Sequence, residues 1–139
     1  MRHLLALTLS AAAVPAITTA ANPPTPAGGT APISSKLAEA LKGRIAGPPT
    51  SCINLARNYS STIVDGQAVI YKESNRRWYV NFPSRGDCPS LKRDRTLITR
   101  TPSNQLCSGD LVLVVDIVTR PAIEYGACAL GEFTPYTKP

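Results

Sequence analysis

The chain has 139 residues, 43% of them hydrophobic and 17% charged, with fifteen Lys/Arg against nine Asp/Glu and a formal net charge of +6. That length suits one ordinary domain, and a modest positive balance favours anionic contacts without specifying a fold. The one histidine is His3, so the body of the chain lacks the imidazole on which Ser-His and Cys-His nucleophile pairs and most catalytic zinc sites depend.

In chain order, Met1-Arg2-His3 forms a short positive start, and an apolar run follows from Leu4 to Ile17, broken by Thr8, Ser10 and Pro15. Small residues close it at Thr18, Thr19, Ala20 and Ala21. This three-part layout predicts a secretory signal over 1–21, cleaved after Ala20 or Ala21. The run is shorter than the ~20 apolar residues of a membrane span, and Pro15 interrupts a spanning helix. No membrane span is therefore expected after cleavage. The first cysteine is Cys52 and no Arg-Arg pair precedes the apolar run, so neither a lipoprotein nor a twin-arginine signal is expected. Residues 22–33 hold closely spaced prolines and a Gly-Gly pair, the composition of a flexible leader. Residues 34–139 are expected to form a single disulfide-stapled β domain. Without residues 1–21 there are fourteen Lys/Arg and nine Asp/Glu, a net charge near +5.

The domain opens with a short helix over Lys36–Lys42, capped by Ser34 or Ser35, with Leu37, Leu41 and Ile45 on one face to dock against a sheet. Gly43, Gly47 and Pro48-Pro49 end it. From Cys52 the pattern changes to period two. Strands are predicted at Ser60–Val64 and Ala68–Tyr71 around the Asp65-Gly66 hairpin turn. A third runs Arg77–Phe82, with Trp78, Val80 and Phe82 on one side and Arg77, Tyr79 and Asn81 on the other. After a Pro/Gly-rich loop, Pro83–Pro89, further strands follow at Thr96–Arg100, Asp110–Val118 and Ala122–Leu130, the last two joined by a turn at Arg120-Pro121. The fold class is mainly β: a small antiparallel meander, barrel-like or sandwich, with one short N-terminal helix.

Cys52, Cys88, Cys107 and Cys128 are separated by 36, 19 and 21 residues. Closely paired zinc ligands are absent from that spacing, and in an exported domain of this size it predicts two disulfides. Three connectivities are open. The preferred one joins Cys88 to Cys107 across the fourth strand, and Cys52 to Cys128 between the first and last segments of the sheet.

The sequence has no G-x-S-x-G, P-loop, S-x-x-K or calcium-loop pattern. Asp110 and Asp116 are six residues apart, ~20 Å along a strand, beyond the ~5–10 Å of a glycosidase pair. Glu124 and its neighbours read as salt-bridge partners. Tyr59, Tyr71, Trp78 and Tyr79 interleave with basic residues like a stacking platform, but Trp78 alternates onto the core face and the compartment is wrong, so no nucleic acid is expected. Asn58-Tyr59-Ser60 fits the glycosylation pattern by chance. The candidate binding residues are Arg76, Arg77, Arg85, Lys92, Arg93 and Arg95, with solvated surface charge as the plain alternative.

Cys52-Ile53, Val64-Asp65, Tyr79-Val80-Asn81, Cys88-Pro89-Ser90-Leu91, Leu106-Cys107-Ser108-Gly109-Asp110 and Cys128-Ala129-Leu130-Gly131-Glu132-Phe133 together span about two thirds of the chain. In these residues the chain resembles small exported alphaproteobacterial-type proteins that carry a four-cysteine domain of unknown function. The resemblance implies export and a small disulfide-linked domain, and brings no catalytic residue, ligand or partner. The expected function is a periplasmic or secreted, monomeric, non-enzymatic binding or structural module. It would need no cofactor and no metal, and would meet an envelope component of anionic character. One alternative is an inhibitor of an envelope enzyme, presenting the Pro83–Pro89 loop. Another is a hydrolase whose carboxylates converge from distant strands.

Overall fold

The structure is a computed structural model that describes residues 33–139 apart from 58, 65 and 87. The expected signal at 1–21, all of the leader but its last residue, and Asn58 of the glycosylation pattern lie outside the described residues.

The single α-helix among the described residues, α1 (Ser35–Ala40), starts where a serine can accept a backbone N–H. Ser34 is extended, and its Oγ accepts from Leu37 N at 3.3 Å, which satisfies one of the donors a helix start leaves open. Leu37 and Leu41 are buried one turn apart against Val64, Ala68, Ile70, Val80 and Tyr136. Ile45, expected on the same face, is instead 63% exposed. The chain leaves helical geometry at Gly43, which has φ +73°, so the helical period no longer places residue 45. It lies in β1 (Ile45–Ala46), opposite Thr137.

Eight further strands follow: β2 (Cys52–Asn54), β3 (Ser60–Val64), β4 (Ala68–Lys72), β5 (Arg77–Pro83), β6 (Thr96–Thr99), β7 (Gln105–Cys107), β8 (Leu111–Asp116) and β9 (Ile123–Thr137). The fold is mainly antiparallel β, with the main sheet curled into a half-barrel in the order β3-β4-β5-β9-β8-β6. β1 lies along β9, and β2 and β7 form a separate ribbon. The sheet is two meanders rather than one, because β9 is inserted between β5 and β8.

β9 makes that insertion possible by running to Thr137, past the expected end at Leu130. Its first half pairs with β8 and its second half with β5. In each ladder three residues of the partner strand are matched by four of β9: Leu113 to Val115 against Ala127 to Glu124, and Asn81 to Pro83 against Phe133 to Leu130. Each extra residue is a bulge, which bends a strand and raises its twist. The first bulge holds Gly126 at φ +97°. At the second, a Cβ on Gly131 would collide with the Phe82 carbonyl oxygen. The fully buried Asn81 side chain supplies the hydrogen bonds lost there. Its Nδ2 donates to Gly131 O at 2.7 Å and to Glu132 O at 3.3 Å, and its Oδ1 accepts from Gly131 N at 3.2 Å.

Two cores result. Inside the curl, Ile63, Val69, Tyr71, Leu91, Val112 and Phe133 belong to one cluster, and α1 covers a second on the outer face of β3, β4 and β5. Ala68 and Ile70 face the helix, whereas Val69 and Tyr71 face the interior. In β5, Val80 packs with Trp78 and Phe82 on the helix side, and Tyr79 packs on the interior cluster. The side of β5 that carries Tyr79 and Asn81 is therefore a second covered face.

The disulfides are Cys52–Cys107, with Cα atoms 4.0 Å apart, and Cys88–Cys128, with Cα atoms 6.1 Å apart. This corrects the expected Cys52–Cys128 and Cys88–Cys107 pairing. Cys52 belongs to the β2–β7 ribbon, whose register sets it opposite Cys107. Cys128 lies in β9 between the two bulges, and β9 is the neighbour of β5, whose following loop carries Cys88. Disulfide bonding is characteristic of chains that fold in an oxidising compartment.

Candidate functional site

β4 and β5 are joined by a turn over residues 73–76. Glu73 N and Ser74 N both donate to Arg77 O, at 3.1 and 3.2 Å. Ser74 Oγ accepts from Arg76 N and Arg77 N, at 3.3 and 3.1 Å. Arg44 fastens the turn from outside, donating to Arg76 O at 3.3 Å and Asn75 O at 2.9 Å. Its guanidinium carbon stands 3.4 Å from the centre of the Trp78 ring, with Lys72 Nζ at 4.7 Å. Cation–π attraction thus adds to the two hydrogen bonds.

Beside this turn is a cleft of about 480 Å³ lined by Arg57, Glu73, Ser74, Arg76, Arg77, Thr137 and Lys138. The end of β9 supplies its C-terminal side, where Lys138 N donates to Arg76 O at 2.8 Å. Among the described residues Glu73 is the one acid in this lining, and its side chain is only 9% exposed. Arg57 Nη1 hydrogen-bonds its Oε1, and Arg77 Nε lies 3.7 Å from its Oε2. The Glu73 hydrogen bond, and then its charge, raise the Arg57 pKa above its ordinary value. Burial, followed by the Glu73 charge, pushes Tyr59 up to about 12. Tyr59 meets Tyr79 edge-on, with ring centres 6.0 Å apart.

Four cations against one committed carboxylate leave this cleft strongly positive. Among the described residues Arg76 and Lys138 carry no ion pair. The arrangement can present several N–H donors to a carboxylate, phosphate or sulfate. Ser74 Oγ is occupied by the backbone donors of Arg76 and Arg77.

The six residues expected to bind fall in three places. Arg76 and Arg77 are in this cleft. Lys92 and Arg93 line another, of about 680 Å³, with Gly66, Pro89, Leu91 and Asp94 at the β3–β4 turn. Arg93 and Arg95 also line a narrower cleft of about 270 Å³ between β3 and β6. Arg95 is anchored, donating to Ser90 O at 2.8 Å, with its guanidinium carbon 3.4 Å from the centre of the Tyr125 ring. Arg85 stands apart on an exposed turn beside Gly86, which has φ +88°.

The aromatic residues form no shared platform. Tyr71 packs inside the curl against Phe133 with ring centres 5.7 Å apart, while Trp78 lies on the helix side. The carboxylates are dispersed as well. Asp110 accepts from Cys107 N at 2.7 Å, and Asp116 accepts from Val118 N at 2.8 Å and Thr119 N at 3.3 Å. Among the described residues no group of three His, Cys, Asp or Glu gathers as metal ligands, and no helix is long and apolar enough to cross a membrane.

Sequence reasoning missed Arg57, Glu73 and Lys138. The signal for Glu73 was present: a hairpin turn of Glu-Ser-Asn-Arg followed by Arg77. Lys138 was invisible because it depends on β9 running beside β5. No protein-family model, no curated protein and no solved structure matches this chain.

Proposed function

We propose that the chain is an exported, periplasmic or secreted, non-enzymatic binding module, and that it takes an anionic component of the cell envelope at the cleft beside the β4–β5 turn. The convergence of Arg57, Arg76, Arg77 and Lys138 on one cleft carries this reading. The signal read at 1–21 and the two disulfides support export. So does the resemblance to exported four-cysteine proteins. The dispersed carboxylates favour binding over hydrolysis.

Heparin, a soluble polyanion, is a direct probe. Arg76→Glu/Arg77→Glu is expected to shift elution from heparin resin to clearly lower salt, since salt screens exposed charges beyond a Debye length of ~8–10 Å and leaves the nearby cations to hold the polyanion. The charge-matched Lys92→Glu/Arg93→Glu should shift it less. Equal shifts for the two variants would mean that total charge, not this cleft, governs binding.

An inhibitor role for the Pro83–Pro89 loop has one supporting observation. Cys88–Cys128 ties that loop to β9 and leaves Arg85 projecting from its turn.

A further inference from the structure

The sheet ends in two open edges, β3 and β6, and both line the same narrow cleft. Ser61, Thr62 and Ile63 form one wall, and Arg93, Arg95, Thr96 and Leu97 the other. No ladder joins the two strands. At one end the gap is closed, where Gly66 N donates to Leu91 O at 2.6 Å. It is a wedge-shaped seam in an otherwise curled sheet.

Open edges expose unpaired backbone N–H and C=O groups, and proteins normally blunt them with lysine, proline, bulges or covering segments. β3, Ser60–Val64, has none of these devices: its outer residues Ser60 and Ser61 are small and exposed, and its register against β4 is unbroken. The basic residues are instead across the seam, where Arg93 and Arg95 line the opposite wall. Lys92 and Arg93 extend into the adjoining cleft at Gly66 and Leu91, where they outnumber its one described acid, Asp94. An edge with accessible backbone facing a basic wall suits an extended chain with acidic side chains, whose backbone completes the ladder while its carboxylates meet the arginines.

We propose that β3 is an acceptor for strand addition, and that its partner is an extended acidic polypeptide segment seated in the β3–β6 seam. β3 and β6 run in opposite directions along the sheet order, so a strand antiparallel to β3 runs parallel to β6. The three seam residues Ser61–Ile63 span ~10 Å, room for about three residues of partner. A second copy of this chain is the poorer occupant, since its net charge of +6 opposes pairing across a basic wall. This site is separate from the cleft beside the β4–β5 turn, so either can fail without the other.

The test uses the disulfide-bonded chain and a synthetic eight-residue peptide alternating Glu and Val. The comparison peptides are an N-methylated form, methylated at alternate amides on the pairing edge, and a Lys/Val form. Saturable binding of the Glu/Val peptide is expected, with slowed amide exchange confined to β3. N-methylation, replacement of Glu by Lys, and Arg93→Glu in the protein should each weaken binding at least tenfold. Arg76→Glu/Arg77→Glu should leave it unchanged. Equal affinity for the N-methylated peptide would overturn strand addition, and equal affinity for the Lys/Val peptide would overturn the acidic specificity. Failure to bind the Glu/Val peptide, or concentration-dependent self-association through β3, would overturn the proposed partner.

Discussion

The two meanders are stabilised in different ways. β3, β4 and β5 are covered on both sides, by the interior cluster and by α1, so that Ala68, Val69, Ile70 and Tyr71 are buried in succession. β6, β8 and the first half of β9 bury mainly one face, Val115 being the buried exception on the other. Val112 and Val114 point inward, while Ile98, Leu111, Ile123 and Tyr125 remain exposed, Leu111 by 58%. Both disulfides attach segments beside this second region: Cys88–Cys128 holds β9 between its bulges, and Cys107 precedes β8. Where a second layer is missing, covalent links limit the freedom of the unfolded chain. Double burial and cross-linking are thus alternative solutions to the same shortage of core in a small domain.

The largest effect should come from the cross-links. Replacing Cys88 and Cys128 together by alanine is expected to cost about 2–5 kcal/mol in chemical denaturation. Amide exchange should accelerate first in β6, β8 and the start of β9. If β4 loses protection equally, the two regions do not differ as described.

Next come paired truncations of the two outer faces. Leu37→Ala removes a fully buried side chain from the α1 interface and should cost about 2–5 kcal/mol. Leu111→Ala on the bare face should stay within about 0.5 kcal/mol in the monomer. Comparable losses would show that the second face is covered in solution, and sedimentation would identify a dimer as the cause.

The smallest effect concerns the interior of the doubly covered region. Tyr71 OH is buried with no hydrogen-bond partner among the described residues, and burial raises its pKa, as it does for Tyr136. Tyr71→Phe should stabilise the chain by about 1 kcal/mol, since an unsatisfied hydroxyl is removed without altering shape. A raised tyrosine pKa means that the folded chain keeps a proton the unfolded chain releases. Stability from this source is complete below pH ~10, declines as pH rises through the folded value of about 12 at Tyr59, and should decline less in Tyr71→Phe. Urea melts at pH 7 and pH 11 test both points. Destabilisation by Tyr71→Phe would mean that the hydroxyl has a partner in solution.

Much of the doubly covered half was legible in the sequence. Ser34 and the Leu37/Leu41 spacing marked the helix and its docking face, and period-two runs around Asp65-Gly66 marked β3 and β4. These features are local, set by capping, side-chain period and turn chemistry within a few residues. Arg76 and Arg77 were visible as a basic pair on the same grounds. The cleft they help to line was not, because Arg57 and Lys138 reach it from segments 19 and 62 residues away from Arg76.

The sequence by itself determined the strand-rich class, the capped helix, the β3–β4 hairpin and the presence of four cysteines able to pair. Tertiary structure alone decided how they pair and where β9 lies. The periodicity of β9 ends, to a reader of the sequence, at Gly131. In the fold that glycine is instead the point where β9 bends past Phe82, with the buried Asn81 amide satisfying its backbone. That bend sets β9 between β5 and β8, and with it come the Cys88–Cys128 bond, the cleft at Lys138 and the open seam between β3 and β6. A bulge is recognised by the strand across from it, and the identity of that strand is a property of the whole chain.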